Sequence, residues 1–219
     1  MRVILIIQRI MLYLEANVGS SDRHFILGYG SLISSESRAK TGETGQVWPV
    51  KLHGFERHWS VMSDEFGMSS VAVIKASDKA CNGVLVEVPF DQFPLFDERE
   101  RGYHRAMIQA DQLSAYQTTP LPEGTYWIYY TDDIIEPTQG CPITLSYLDV
   151  ILSGCLEYGD AFTQDFLTLT KGWTSPLLND RKAPRYPRVQ PDIETERLNT
   201  LLAPVTTLSI KELSVTYES

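Results

Sequence analysis

Two stretches of this sequence combine residue types and spacing that could do chemistry. The first is Asp91-Gln92-Phe93-Pro94-Leu95-Phe96-Asp97-Glu98-Arg99-Glu100-Arg101-Gly102. It predicts a short helix: Asp91 can cap it, Pro94 falls in the tolerant first turn, and Gly102 can end it. Phe93, Phe96 and Glu100 stand at i, i+3 and i+7 and share one face, with Asp97 and Arg101 on a neighbouring strip. Glu100 therefore extends an apolar face at the helix end. A carboxylate partly desolvated there has its pKa raised toward working pH, as a proton shuttle needs. A second reading is open: Glu100 pairs with Arg99, Arg101 or Arg105 and is structural, the usual fate of a charge-dense run.

The second stretch is Phe25-Ile26-Leu27-Gly28-Tyr29-Gly30-Ser31-Leu32-Ile33. Phe25 to Leu27 reads as a short buried strand, and Gly28-Tyr29-Gly30-Ser31 forces a break. Ser34 to Lys40 is polar and helix-compatible, with Ser34 or Ser35 as the cap. A strand, a glycine turn and a helix start leave several backbone N–H groups unpaired. Such a cluster suits a carboxylate or a developing oxyanion, although an ordinary strand-to-helix turn has the same local pattern.

The chain that must position these groups has 219 residues, enough for one domain with a substantial core. Hydrophobic content of 43% and charged content of 21% are those of a globular protein. Val47 to Val61 alternates as a half-exposed strand pair would, with Ser63 to Gly67 as a loop. Val71 to Ile74 reads as a buried strand turned by Ser77-Asp78-Lys79, and Val84 to Val88 as another, ended by Pro89. Further strands are expected around Tyr103 to Gln109 and at Tyr126 to Tyr130. Tyr147 to Leu169 has helical spacing in two stripes, Leu148/Ile151/Leu152/Cys155/Leu156 and Phe162/Phe166/Leu169, with a break at Gly159-Asp160. Pro176, Pro184, Pro187 and Pro191 make Trp173 to Pro191 an extended or wrapping segment, and Ile193 to Leu202 a closing helix. Strands close in sequence, with helices inserted or trailing, predict an α+β fold on a mainly antiparallel or mixed sheet.

Several function classes are disfavoured. A net charge of −9 argues against nucleic acid as a partner. The aromatic run Trp127 to Tyr130 reads as sheet packing rather than a stacking platform. Ser31 has no nucleophile elbow around it, and no phosphate loop is present. Four histidines are too few and badly spaced for a metal site; His53 and His58, five apart on strand sequence, are expected on opposite faces. Three widely spaced cysteines give no disulfide framework or zinc spacing and make a reducing cytosol the expected compartment. Val3 to Ile7 is too short for a membrane span and is interrupted by Gln8 and Arg9. It reads as a short amphipathic helix, or as sequence upstream of a start at Met11, rather than as an export signal. Asn17 to Arg23 then forms a polar linker.

Taken in order, Tyr29-Gly30-Ser31-Leu32 and, about seventy residues later, Phe96 to Arg105 resemble the γ-glutamylcyclotransferase family. Asn82-Gly83-Val84-Leu85-Val86 falls where that family has a strand. The stretch Gly172-Trp173-Thr174-Ser175-Pro176, with Asn179-Asp180-Arg181 and Pro184-Arg185-Tyr186-Pro187-Arg188, looks like a tail found in bacterial members. The likeness runs from about Phe25 to Arg188 and implies an N-terminal extension (1–23), a family-like domain (24–172) and a C-terminal wrapping segment (173–219). It further implies a small barrel-like sheet flanked by helices, with the turn and the glutamate facing one cavity. Carried over, Tyr29, Gly30, Ser31 and Leu32 bind a γ-glutamyl moiety, Glu100 is the acid/base, and Tyr103 is a pocket residue. The glycine-tyrosine pair follows Glu100 more closely here than in the eukaryotic glutamyl-peptide enzymes. His104 and Arg105 are read as support for their strand. The implied reaction is cyclisation to 5-oxoproline of a small-molecule γ-glutamyl substrate, with no cofactor or metal. A non-catalytic binding module on the same fold is the competing class. Two fates are open for Trp173 to Arg188: folding over the cavity and selecting the leaving group, or packing on the surface.

Overall fold

The computed structural model describes residues 23–41, 45–61, 67–206 and the backbone of 211–212. The amphipathic segment before the first strand, the start at Met11, the linker up to residue 22 and most of the loop before Gly67 lie outside the described residues.

The first strand, β1 (His24–Gly28), is apolar on both faces, with Phe25, Ile26 and Leu27 all buried. A strand of that kind belongs inside a sheet. It pairs antiparallel with β3 (Ser70–Glu87) on one side and parallel with β6 (Thr125–Tyr130) on the other. With β2 (Val47–Ser60), β4 (His104–Ile108) and β5 (Leu113–Ala115) the sheet runs β4-β6-β1-β3-β2-β5, and β8 (Thr170–Lys171) adds to β2. Four of these pairings are antiparallel, and the β1–β6 and β2–β8 contacts are parallel. A small parallel sheet joins β7 (Ile143–Thr144), β9 (Leu177–Asn179) and β10 (Lys211–Glu212). The fold is thus α+β, a curled, mixed and mainly antiparallel sheet flanked by helices.

The strand pair expected within 47–61 and the turn expected at Ser77-Asp78-Lys79 are not present. β2 is one strand of 14 residues and β3 one of 18, and the two pair along their whole length. The polar residues at 77–79 are exposed on a bend where the register jumps from His53↔Ala80 to Phe55↔Lys75. The extra residues leave the ladder as a bulge and the strands resume, so a local turn signal is absorbed without a reversal. The bulge also inverts the alternation. Val50 and Leu52 are buried before it, and Phe55, Arg57 and Trp59 after it. His53 and His58 consequently share the more open face of β2, contrary to the sequence expectation; they bond Ser114 and Glu56 respectively.

The helices fall close to their predicted places. Ser34 Oγ accepts from Ser37 N and caps α1 (Ser35–Ala39). α2 (Phe93–Arg99) carries Pro94 in its first turn, but its cap is not Asp91. A 3-10 turn over Phe90–Gln92, with Gln92 N bonded to Pro89 O, leads into the helix and replaces a side-chain cap. α3 (Leu145–Leu156) and α4 (Asp160–Leu169) divide at Gly159, and α5 (Thr195–Leu202) follows the extended segment. Among the described residues no helix is long and apolar enough to cross a membrane. The three cysteines are buried and none is in a disulfide. Burial pushes the Cys81 thiol up to about 11.

What matters for the site is how tightly the turn after β1 is held. Residues 31–33 form one 3-10 turn, closed by Ile33 N on Gly30 O and Ser34 N on Ser31 O. A β-carbon on Gly30 would stand 2.8 Å from Val71 Cγ2 of β3 and 3.0 Å from the Tyr147 hydroxyl of α3. A β-carbon on Gly154 of α3 would stand 2.3 Å from Ser34 N. The turn is therefore clamped between sheet and helix at approaches that only glycine permits.

Candidate active site

Tyr29, Gly30, Ser31, Leu32, Glu100 and Tyr103 all line one cavity of about 570 Å³, a size ordinary for a small-molecule site. All six sequence-predicted site residues are thus brought together, although the turn and the glutamate are about seventy residues apart.

The turn supplies main-chain donors. In a 3-10 turn that begins by accepting at Gly30 O, the leading N–H groups have no partner inside the turn. These belong to Ser31 and Leu32, both at the cavity wall. The phenol of Tyr29 is buried and donates to Tyr129 O at 2.7 Å. That bond fastens the turn to β6.

Glu100 stands one residue beyond α2. Phe93 and Phe96, on the same face, are buried, and Glu100 N closes the helix on Phe96 O at 2.8 Å. The Glu100 side chain keeps 19% exposure, on the cavity side of an apolar helix face. Burial raises its pKa above the ordinary carboxylate value, and the charges of Arg99 and Arg188 only partly oppose this. The carboxylate that lines the cavity also accepts from Arg99 Nε at 2.9 Å, one of the pairings open to it in sequence. Tyr103 lies beside it and its phenol is raised, first by burial and then by the Glu100 charge, so it stays protonated as a donor.

Arg99 does more than sequence reasoning assigns to it. Besides Glu100 it donates to Ser31 Oγ at 3.0 Å through Nη2 and to Thr41 Oγ1 through Nη1. One guanidinium thus bridges the carboxylate to the turn, and its planar fork sets their relative position. Arg57 is a second unforeseen residue. It is fully buried, and it donates to Tyr29 O at 3.2 Å, Asn82 O at 2.6 Å and Asn82 Oδ1 at 2.7 Å. It thereby holds the root of the turn from inside the sheet.

The wrapping segment does reach the cavity, through Arg185, Tyr186, Pro187 and Arg188. Its anchor is Asp180, fully buried, which accepts from Ser146 N at 2.8 Å, Ser146 Oγ at 2.5 Å and Arg185 N at 2.8 Å. Arg181 forms a two-pronged pair with Asp149 of α3 at 2.6 and 2.7 Å. An anion at the first turn of α3 is favourably placed, and Tyr186 then packs edge-on against Tyr147. His104 and Arg105 stay outside the site. His104 pairs with Asp132, and Arg105 pairs with Asp97 and stacks on Phe93 and Trp127. Among the described residues no cluster of His, Cys, Asp and Glu could hold a metal ion.

No family model matches the sequence, and no curated protein matches it. Solved structures do. One named gamma-glutamyl cyclotransferase superposes with a TM-score of 0.53 at 13% identity, covering 83% of this chain and 99% of that one. An uncharacterized protein from Homo sapiens gives a TM-score of 0.53 at 13% identity, over 84% of this chain and 99% of that one. At such identity the likeness speaks for architecture. The chain carries the γ-glutamyl cyclotransferase fold.

Proposed function

We propose that this protein is a cyclotransferase that converts a γ-glutamyl compound to 5-oxoproline and releases an amine or amino acid. The observation that carries the reading is the shared cavity of Glu100 and the Gly30–Leu32 turn, bridged by Arg99. The Glu100 carboxylate takes a proton from the substrate's α-ammonium, and the freed amine attacks the γ-carbonyl carbon of the same molecule. The new C–N bond closes a five-membered ring and leaves an oxyanion, which the N–H groups of the turn receive. Donors of this kind are worth about 3–4 kcal/mol in other enzymes. Protonated Glu100 then returns its proton to the leaving nitrogen as the old C–N bond breaks, and the regenerated carboxylate takes the surplus proton from the ring nitrogen and passes it to the departing amine. Nucleophile and electrophile share one molecule, so the site need only hold the reactive rotamer. The steps balance without a cofactor.

The direct test is mass spectrometry for 5-oxoproline after incubation with γ-glutamyl dipeptides, γ-glutamylamines and glutathione. Release from at least one class is expected. The Arg99–Glu100 contact favours one rival, a cavity that binds without converting; saturable binding of such compounds with no 5-oxoproline would establish it.

The pH profile carries its own expectation. Because burial raises Glu100, the acid limb of kcat/KM should lie above the ordinary carboxylate value of 4.5. Arg99 holds that value down, so Arg99→Gln should move the limb to higher pH. A limb that moves down, or stays in place, would show that another group controls the rate.

A further inference from the structure

Among the described residues, the cavity wall holds more positive charge than Glu100 can answer. Its lining contains, among those residues, one carboxylate, Glu100, and four arginines, Arg99, Arg101, Arg185 and Arg188. Arg101 faces Glu98, and Arg185 donates to the carbonyls of Gly67 and Gly140. Arg99 already has Glu100. Among the described residues Arg188 has no carboxylate within ion-pair distance: its Nη2 donates to Thr41 Oγ1 at 2.8 Å, and its Nε is buried with no hydrogen-bond partner there. Thr41 Oγ1 also receives Arg99, so the two guanidiniums stand on either side of one hydroxyl. Burial and the charge of Arg99 push Arg188 below its ordinary value, and the Tyr186 phenol and the Glu100 charge only partly oppose this.

Position makes the missing anion specific. Arg188 is linked to the Glu100 carboxylate through Thr41 Oγ1 and the fork of Arg99, which bounds their separation at roughly 10 Å. An ammonium and a carboxylate on one carbon, each extended outward by a hydrogen bond, span roughly 8 Å. We infer that Glu100 and Arg188 together read a zwitterionic α-amino acid head, Glu100 taking the α-ammonium and Arg188 the α-carboxylate. The inference rests on the cyclisation reading for what lies beyond that head. Arg188 is then a specificity-determining residue that the wrapping segment delivers, and the N–H groups of the turn are left for the γ-carbonyl. Substrates blocked at the α-carboxylate are excluded, whatever their leaving group.

Arg188→Gln and Arg188→Lys test this with three substrates: γ-glutamylalanine, γ-glutamylethylamine, and γ-glutamylalanine carrying an α-carboxamide on its glutamyl unit. Losing a charge-assisted contact should lower kcat/KM by roughly 10–100-fold in Arg188→Gln for the first two. Arg188→Lys should lose less, because it keeps the charge. The α-carboxamide should be a poor substrate of the parent protein and nearly indifferent to the substitution. A loss confined to γ-glutamylalanine would assign Arg188 to the leaving group's carboxylate and overturn the inference. An equal loss on all three would overturn it too, as the mark of general damage.

Calorimetric titration with L-glutamate, which carries the same head and no leaving group, separates the two proposals. If no substrate turns over yet L-glutamate binds the parent and not Arg188→Gln, the cyclisation reading falls and the head site stands. If turnover occurs but L-glutamate binds both proteins alike, the head site falls alone.

Discussion

Glu100→Gln is expected to reduce 5-oxoproline release by roughly 10²–10⁴-fold, the range lost with a positioned acid/base, while the protein stays folded. The amide can still accept from Arg99 Nε, so the bridge to Ser31 is kept and only proton transfer is removed. The stability side has a definite sign. Burial raises the carboxyl above its unfolded value, so the folded protein holds this proton to higher pH than the unfolded chain does. Stability contributed here is greatest below about 4.5, the unfolded value, and declines as pH rises through the raised folded value. At neutral pH the ionised carboxylate therefore weakens the fold, and the neutral amide should leave Tm unchanged or higher. Thermal melts and product assays on one preparation check both halves. Near-normal turnover would remove Glu100 from the chemistry, and a clearly lowered Tm would make it a structural partner of Arg99.

Arg57→Leu should cost about 3–5 kcal/mol, since each buried acceptor left unmet costs roughly 1–3 kcal/mol. Arg57 donates to Thr170 Oγ1, Phe166 O, Asn82 and Tyr29 O, and its guanidinium lies 4.0 Å from the Phe166 ring centre. No carboxylate stands within ion-pair distance of it among the described residues. The cation is held by carbonyl dipoles and an aromatic face instead, and burial lowers its pKa. In a domain of this size the loss corresponds to a Tm lower by roughly 10 °C. Arg57→Lys should lose less stability, yet it frees the Tyr29 carbonyl because one ammonium cannot span all these acceptors. Turnover should then fall with the turn's position. A melt of Arg57→Leu within about 2 °C of the parent would show that the buried contacts contribute little.

Arg57 also marks where the sequence stops being readable. From Leu52, a strand of period two puts position 57 on the outer face. The bulge between His53 and Phe55 changes the parity, and the arginine turns inward. No local pattern announces that, because a bulge is a property of two strands in register. The same limit explains 77–79, which has turn composition and forms an exposed bend in one long strand. Which residues continue a ladder is decided by the partner across it.

Local sequence did determine the buried run of β1, the glycine break after it, the paired helices parted at Gly159, and the extended course after Trp173. It also placed Glu100 at the end of a face with Phe93 and Phe96, since a helix face is a matter of spacing along one chain. Tertiary structure alone decided that Arg99 would bridge Glu100 to Ser31, that Tyr29 would turn its phenol to Tyr129, and that Asp180 would pin the wrapping segment so that Arg188 reaches the cavity. Those pairings join positions 34 to 100 residues apart, or depend on one that does. Periodicity carries no record of such partners; they exist only once the sheet has curled and the core has closed around them.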